Sequence, residues 1–174
     1  MGAAPEQMPA FVLYIATGDG NGPGKVYQVT EHGRILGWVN LPHTPSSIAL
    51  HRDHGLVVTL PRDGGKVVRI DDTGKPATIM EKDKTLVHPV DVGIGGDSDT
   101  IVVADNIADK LSATTTGGRV PKEYRSFDGQ KWTAQNMSVA VTKDNHVIFG
   151  TDGDKGVYRY SGDGSGSEPL LPEA

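Results

Sequence analysis

The sequence predicts an all-β fold, a β-propeller of about four antiparallel blades with four strands in each. Three markers recur along the chain with a single period of 41 to 46 residues. An aliphatic strand begins at four equivalent positions, which are Leu13, Leu56, Ile101 and Val147. A second strand begins at Lys25, Lys66, Lys110 and Gly156. A glycine closes the following turn at Gly33, Gly74, Gly118 and Gly164. Because one such sheet is too small to form a core, each must pack against its neighbours.

Each predicted blade has an inner strand, two central strands and an outer strand. The inner strands PSSIAL (45–50), PVDVGI (89–94) and NMSVAV (136–141) alternate apolar residues with small or polar ones, which is typical of half-buried strands. The central pairs lie in the stretches that begin at the two strand markers. The segments after each glycine turn, at 34–41, 75–80 and 119–127, are more polar and indicate outer strands, where Pro is tolerated at a solvent-facing edge. A flat or sandwiched meander is the alternative architecture.

The period also predicts where the repeats begin and end. We expect an N-terminal extension at 1–10, repeats over 11–164 with blades near 11–42, 45–82, 89–127 and 136–164, and a C-terminal tail at 165–174. The segment SEPLL (167–171), a weak candidate for a last strand, falls in this tail. With about four blades, the propeller could be a small closed one, an open one, or part of a larger one. Unpaired blade edges invite pairing, so we expect a protein partner or a homo-oligomer to cover them.

Composition narrows the function classes. The 174 residues carry 17 Lys and Arg against 22 Asp and Glu, a formal net charge of -5, and no basic block, which argues against nucleic-acid binding. No apolar run approaches the roughly 18 residues of a transmembrane helix. The first residues lack the positive region of a signal peptide. We therefore expect a soluble chain, while the compartment stays undetermined because the absence of cysteine does not identify it.

Three segments resemble NHL-type β-propellers, namely PVDVGI (89–94), IVVADN (101–106) and RIDDTGK (69–75). The likeness extends from Leu13 to about Leu171 and implies the propeller fold, although that family usually closes with six blades. It implies no single activity, because NHL units occur in protein-binding, RNA-binding and enzymatic propellers. The enzymatic relatives that it suggests are the gluconolactonase and strictosidine-synthase-like propellers.

In the lactonases, the resemblance implies a channel metal held by Glu, Asn and Asp side chains, one Asn following Pro at the start of an inner strand. The equivalent positions here are Ser46, Val90 and Met137, none of which has an amide oxygen. Asn136 lies one place early and would face the other side of its strand. The acidic loops at 19–24 and 152–155 lack calcium-loop spacing and indicate turns. We therefore expect no metal and no cofactor.

The loops that surround one mouth of the channel supply the candidate site. They contain His43, His88, Asn136, Asp19, Arg62, Asp105, Asp152 and Trp132. His43 and His88 precede adjacent inner strands and form the preferred pair, whereas Asp105 also suits a turn cap. Trp38 and Trp132 suit packing between blades or at the rim, and an exposed Trp132 beside Asn136 would indicate a contact surface.

Two functions follow as hypotheses. The first is a non-catalytic interaction module that docks to a protein partner as an accessory or structural subunit of a larger assembly. The alternative is a lactonase-like hydrolase with a metal in the central channel, so the sequence leans against an enzyme without deciding the question. Sugar or polyanion binding at the rim is a third, weaker hypothesis.

Overall fold

A computed structural model of the chain describes residues 11–53, 55–62, 64–81, 86–96, 99–108, 110–115, 122–124, 137–151, 156–160 and 167–171. These residues form four antiparallel sheets and no helix. Sheet 1 contains β1 (Val12–Gly18), β2 (Gly24–Thr30) and β3 (Ile35–Leu41). Sheet 2 contains β4 (Ser47–Leu50), β5 (Leu56–Leu60), β6 (Lys66–Ile70) and β7 (Pro76–Met80). Sheet 3 contains β8 (Pro89–Ile94), β9 (Thr100–Asp105), β10 (Lys110–Thr115) and β11 (Lys122–Tyr124). Sheet 4 contains β12 (Met137–Val141), β13 (Val147–Thr151), β14 (Val157–Tyr160) and β15 (Ser167–Leu171).

The strands follow one another across each sheet in chain order. The chain therefore runs from an inner strand to an outer strand in sheets 2, 3 and 4, as the repeat predicts. Among the described residues sheet 1 has three strands, which correspond to the second, third and fourth strands of the pattern. The all-β fold of about four sheets is confirmed. The fourth sheet extends into the segment expected to be a tail, since β15 pairs with β14 from Tyr160 to Val157.

The pattern of buried and exposed residues along the central strands shows which faces of each sheet are covered. All five residues of β5 are buried, and the same holds for Ile101 to Asp105 in β9. In contrast, β13 and β1 alternate between more buried and more exposed residues. Side chains of a strand point alternately to the two faces of its sheet. Sheets 2 and 3 are therefore packed on both faces, whereas the described residues cover only one face of sheet 1 and one face of sheet 4.

Three apolar interfaces join the four sheets in sequence. Interface 1–2 contains Val26 and Leu41 of sheet 1 against Leu56 and Val58 of sheet 2. Interface 2–3 joins residues such as Val57, Val67, Ile101 and Val103. Interface 3–4 joins residues such as Val102, Leu111, Val139 and Phe149. Burying each such side chain is worth about 1.5–3 kcal/mol, so these interfaces hold the repeats together.

The glycine markers of the repeat have a conformational reason. Gly33 and Gly74 have φ angles of 82° and 80°, in the left-handed region that side chains with a Cβ avoid. Each donates its N–H to the carbonyl three residues earlier, Thr30 at 2.9 Å and Asp71 at 3.0 Å. Gly33 therefore closes the turn between β2 and β3, and Gly74 closes the equivalent turn between β6 and β7. The markers Gly118 and Gly164 lie outside the described residues.

The inner strands β4, β8 and β12 lie side by side, with β8 in contact with both others. Gly93 allows this approach, because a Cβ there would meet Val141 Cγ2 at 3.0 Å. Such contact between inner edges is the arrangement expected for sheets placed around an axis. Within the described parts of the chain, no helix is long and apolar enough to cross a membrane.

Candidate functional site: the channel mouth and the end face of sheet 1

Five of the eight predicted site residues lie in the described part of the chain, namely Asp19, His43, Arg62, His88 and Asp105. Asn136, Asp152 and Trp132 lie outside it, so their predicted contribution to the site stays a prediction. The five described residues fall into two groups. One group joins the loops of sheets 1 and 2, and the other joins sheets 2 and 3.

Asp105 is the centre of the second group and is fully buried. Its Oδ2 accepts hydrogen bonds from the backbone N–H groups of Val87 at 2.5 Å and His88 at 2.9 Å. Its Oδ1 accepts from Ile107 at 3.2 Å and Ala108 at 2.8 Å. The carboxylate therefore caps its own turn and also fixes the segment that leads into β8. All of these bonds run to the backbone, so Asp105 serves to hold two loops together.

His88 lies beside this anchor. Its Nδ1 is 2.8 Å from Asn106 Oδ1, and its backbone N–H is held by Asp105. The loop of sheet 2 packs closely beneath, since a Cβ on Gly65 would meet the carbonyl oxygen of Val87 at 2.9 Å. The imidazole of His88 is thus oriented by an amide oxygen, an arrangement that positions the ring within the loop.

The first group joins Asp19 and Arg62, which come from different sheets. Asp19 Oδ1 accepts hydrogen bonds from the backbone N–H groups of Asn21 at 2.9 Å and Gly22 at 2.6 Å. These two bonds lower the pKa of Asp19, and the nearby Arg62 charge lowers it further. Arg62 Nη1 donates to Asn21 Oδ1 at 2.6 Å. The acidic loop at 19–24 is therefore closed on its own backbone.

Thr44, next to His43, ties the same loop to sheet 2. Its Oγ1 accepts from the N–H of Gly20 at 3.0 Å and donates to the carbonyl of Gly22 at 3.2 Å. The carbonyl oxygen of His43 would lie 2.8 Å from a Cβ on Gly24, so the two segments are in close contact. His43 and His88, the preferred pair, thus belong to separate groups, one at each loop junction.

The positions that the lactonase resemblance assigns to metal ligands do not provide a donor set. Ser46 Oγ bonds to Thr59 Oγ1 at 2.8 Å and to the carbonyl of Pro89 at 3.1 Å. Val90 and Met137 belong to the apolar interface between sheets 3 and 4. Among the described residues, no three His, Asp or Glu side chains are grouped closely enough to hold a metal ion. The described residues at these positions do not fit a channel metal of that kind.

Sequence reasoning missed Asp91, which joins three sheets near the axis. Its Oδ1 accepts from Ser47 Oγ at 2.5 Å, and its Oδ2 accepts from the backbone N–H of Val139 at 2.9 Å. The signal was present in the repeat, since Ser47, Asp91 and Ser138 occupy the same position in the three inner strands. Asp91 satisfies an N–H at the edge of sheet 4 and thereby stabilises the contact of β8 with β4 and β12.

A group of exposed apolar side chains lies on the side of sheet 1 that faces away from sheet 2. We call this surface the end face, and it consists of Leu13, Ile15, Tyr27, Ile35 and Trp38. Leu13 pairs with Val29 across the sheet, Ile15 with Tyr27, and Tyr27 with Trp38, so these side chains share one side of it. Trp38 is 59% exposed and Ile35 is 54% exposed. Among the described residues no sheet lies against the Trp38 ring, so its packing between blades or at the rim stays a prediction.

The repeat shows how unusual the end face is. The positions equivalent to Leu13 are Leu56, Ile101 and Val147, which are 4%, 0% and 0% exposed, whereas Leu13 is 47% exposed. Ile15 is 45% exposed, while its equivalents Val58, Val103 and Phe149 are 0%, 0% and 2% exposed. In sheets 2, 3 and 4 the preceding sheet covers these positions. The end face therefore has the composition of an interface without a described partner.

A pocket of about 230 Å³ opens at the outer end of interface 1–2. Its lining includes Tyr14, Gln28, Gly37 and Asp71. A Cβ added to Gly37 would meet no atom within 4 Å. The pocket therefore marks a place where the packing between sheets 1 and 2 is incomplete.

Comparison with known proteins supports the fold. No protein-family profile and no curated protein sequence matches the chain. Among solved structures, virginiamycin B lyase from Staphylococcus aureus superposes with a TM-score of 0.73 at 19% identity, covering 98% of this chain and 58% of the lyase chain. A chain of a nidogen/laminin complex gives a TM-score of 0.68 at 13% identity, covering 92% and 60%.

A gluconolactonase from Xanthomonas campestris gives a TM-score of 0.64 at 14% identity, covering 84% of this chain and 55% of that one. These neighbours are β-propeller proteins of the NHL or YVTN type and include both enzymes and a binding protein. At such low identity they show the fold alone. The chain spans less than two thirds of the length of each of them, and its fold is that of a partial β-propeller.

Proposed function

We propose that this chain is a non-catalytic β-propeller module that docks to a protein partner through the end face of sheet 1, as a structural or accessory part of a larger assembly. The observation that supports the proposal is the exposure of Leu13 and Ile15 at positions where every other repeat is buried. Contiguous apolar patches of this kind mark interaction surfaces in soluble proteins. The partner has a matching chemistry, a twisted β-sheet with small and aliphatic side chains.

The aromatic residues of the end face also favour protein docking. Lys25 Nζ lies 6.0 Å from the Tyr27 ring centroid and 5.9 Å from that of Trp38. An apolar centre with aromatic side chains and a basic group at its margin is the usual anatomy of a protein interface. A partner that covers Trp38 would remove its ring from water and give it the packing between blades that its sequence context indicates.

The mouth of the channel gives less support to an enzyme. Asp105 and Asp19 bind backbone N–H groups of their own loops, and Val90 and Met137 are apolar where lactonases carry oxygen ligands. A hydrolase of that type needs an open coordination position and a donor set around it. A lactonase-like activity therefore stays the alternative, without a specific contact in its favour.

Cysteine labelling tests the docking proposal, because the chain has no native cysteine. Ile15→Cys places a thiol on the end face, and Ile107→Cys places one on a side chain that is 61% exposed in a mouth loop. We expect the Ile15→Cys thiol to react with maleimide at least tenfold more slowly than the Ile107→Cys thiol in extracts of the source cell. In the purified chain, diluted to a monomer, the two rates should be comparable.

Equal labelling of the two thiols in the extract would overturn the proposal. Slow labelling of Ile15→Cys in the dilute monomer would also overturn it, because residues 1–10 or another part of the same chain would then cover the face. Circular dichroism and urea unfolding of both variants establish that each is folded before labelling.

A further inference from the structure

The two uncovered sheet faces of this chain are of opposite kinds. Sheets 2, 3 and 4 each use the face with positions such as Val58, Val103 and Phe149 to pack against the preceding sheet. The end face of sheet 1 is this same face without a described preceding sheet. Sheet 4 in turn lacks a described following sheet. One molecule therefore carries the two surfaces that would form a fourth interface of the same kind, one on sheet 1 and one on sheet 4.

The uncovered side of sheet 4 has the side chains that this role needs. Val147 and Phe149 pack on sheet 3, so Ile148 and Gly150 lie on the opposite side of β13. The residues equivalent to Ile148 are Val57 and Val102, and both are 0% exposed because the next sheet covers them. On the neighbouring strand, Ala140 is exposed where the other inner strands have Ala49 and Gly93. We call this side of sheet 4 the rear face, and define it by Ala140, Ile148, Gly150 and Val157. Arg159, which pairs with Ile148 and bonds to Glu168, lies at the outer part of this face, as Arg69 lies beside Val57 in sheet 2.

The geometry points to a second copy of this chain as the occupant: we propose that the end face of one copy packs on the rear face of another, head to tail. The inference rests on the proposed docking function and names its partner. Each contact would repeat the packing of interfaces 1–2, 2–3 and 3–4. A head-to-tail contact of this kind either closes into a ring or continues from copy to copy.

The size of the faces and of the relatives favours a closed pair. Three strands of seven residues cover an area about 23 Å long and about 14 Å wide, which is small for a stable interface. Closure of two copies buries this area twice. One chain spans 58% of the length of the lyase propeller, so two copies exceed the length on which that protein forms its propeller. Two copies would place eight sheets around one axis.

Sedimentation velocity of the purified full chain tests the inference. We expect the native 18.4 kDa chain to sediment as a dimer at micromolar concentration. Ile15→Asp on the end face and Ala140→Glu on the rear face should each give a monomer, with dissociation constants raised at least a hundredfold. Ile107→Asp, the same change at an exposed isoleucine outside both faces, should leave the dimer intact.

Mixing the two monomeric variants provides the decisive measurement. The Ile15→Asp copy keeps its rear face and the Ala140→Glu copy keeps its end face, so an equimolar mixture should form a mixed dimer with one intact interface. Its dissociation constant should lie between that of the native dimer and those of the two variants alone. The two substitutions carry the same sign of charge, so the two introduced carboxylates form no ion pair with each other. One variant carries a fluorescent dye, and sedimentation is followed at the wavelength of that dye. A shift of the dye from the monomer to the dimer boundary on addition of the other variant then identifies the mixed dimer. Ser138→Glu replaces Ala140→Glu if the latter is unfolded by circular dichroism.

Three other outcomes would overturn the head-to-tail inference, and they show whether the docking proposal fails with it. If Ile15→Asp gives a monomer but Ala140→Glu and Ser138→Glu remain dimeric, two end faces meet symmetrically and the head-to-tail arrangement is wrong. If the native chain is monomeric at every concentration while Ile15→Cys is protected in the cell extract, a different protein occupies the end face. If the chain is monomeric and the thiol is unprotected, both proposals fail.

Discussion

The end face of sheet 1 and the equivalent face of sheet 2 have closely similar sequences and opposite surroundings. Leu13 and Ile15 correspond to Leu56 and Val58, and each pair lies on one side of the first aliphatic strand of its repeat. Leu56 and Val58 are buried by sheet 1, whereas Leu13 and Ile15 are about half exposed. The repeat therefore specifies the side chains of an interface, while the number of neighbouring sheets decides whether they are buried.

The largest expected effect is the difference in stability between two variants that each place an aspartate at the same repeat position, one on the buried face of sheet 2 and one on the end face of sheet 1. Val58→Asp should destabilise the monomer by about 4 kcal/mol or more, because an unpaired carboxylate would be buried in interface 1–2. Ile15→Asp should lower the free energy of unfolding of the monomer by only about 1 kcal/mol, because the side chain is about half exposed and the carboxylate reaches solvent. Urea unfolding at a concentration that keeps the chain monomeric measures both. Equal losses for the two variants would show that the end face is covered within the chain.

A middle-sized effect is expected at Asp105, which holds the covered junction between sheets 2 and 3. Asp105→Ala should cost about 3 kcal/mol, because backbone N–H groups of Val87, His88, Ile107 and Ala108 would lose a buried acceptor. Asp105→Asn, which keeps an oxygen of similar shape, should cost less. Urea unfolding curves of the two variants measure the difference. A loss below about 1 kcal/mol for Asp105→Ala would argue against the anchoring role.

The smallest effect is expected at Asp19, in the exposed loop that follows β1. Its backbone hydrogen bonds to Asn21 and Gly22 hold its pKa below the usual value of 3.8. Since the folded-state pKa is the lower one, the stabilisation is present above about pH 4 and is lost as the pH falls through the folded-state pKa. The difference between the native chain and Asp19→Asn in urea midpoint should therefore be constant from pH 5 to 7 and shrink below about pH 4. A difference that grows on acidification would contradict this assignment.

The fold could be predicted because each repeat is marked by patterns among residues that are close together in the sequence. The alternation of apolar residues and the glycines at Gly33 and Gly74 depend on strand and turn geometry, which neighbouring residues determine. The exposure of Leu13 could not be predicted in the same way. An apolar residue at a core position has the same sequence signal whether or not another sheet lies against it.

The candidate site shows a similar division. The repeat alone assigns the loops that carry Asp19, Arg62, His88 and Asp105 to equivalent ends of their sheets, and their meeting at one mouth stays a prediction. Their hydrogen bonds could not be predicted from it, because Asp105 reaches the segment before β8 through contacts between positions 17 and 18 residues apart. Asp91 was missed since its partners Ser47 and Val139 lie 44 and 48 residues away and only the assembled sheets bring them together.

The shared register of the end face and the internal faces also bears on how such a chain can lengthen. A duplicated unit inserted ahead of Val12 would meet Leu13 and Ile15 with the same steric fit that sheet 1 offers to Leu56 and Val58. The strand pattern of sheet 1 can therefore accept a further sheet without a change at Leu13 or Ile15, so one set of side chains serves both a sheet inside a row of blades and a sheet at its edge.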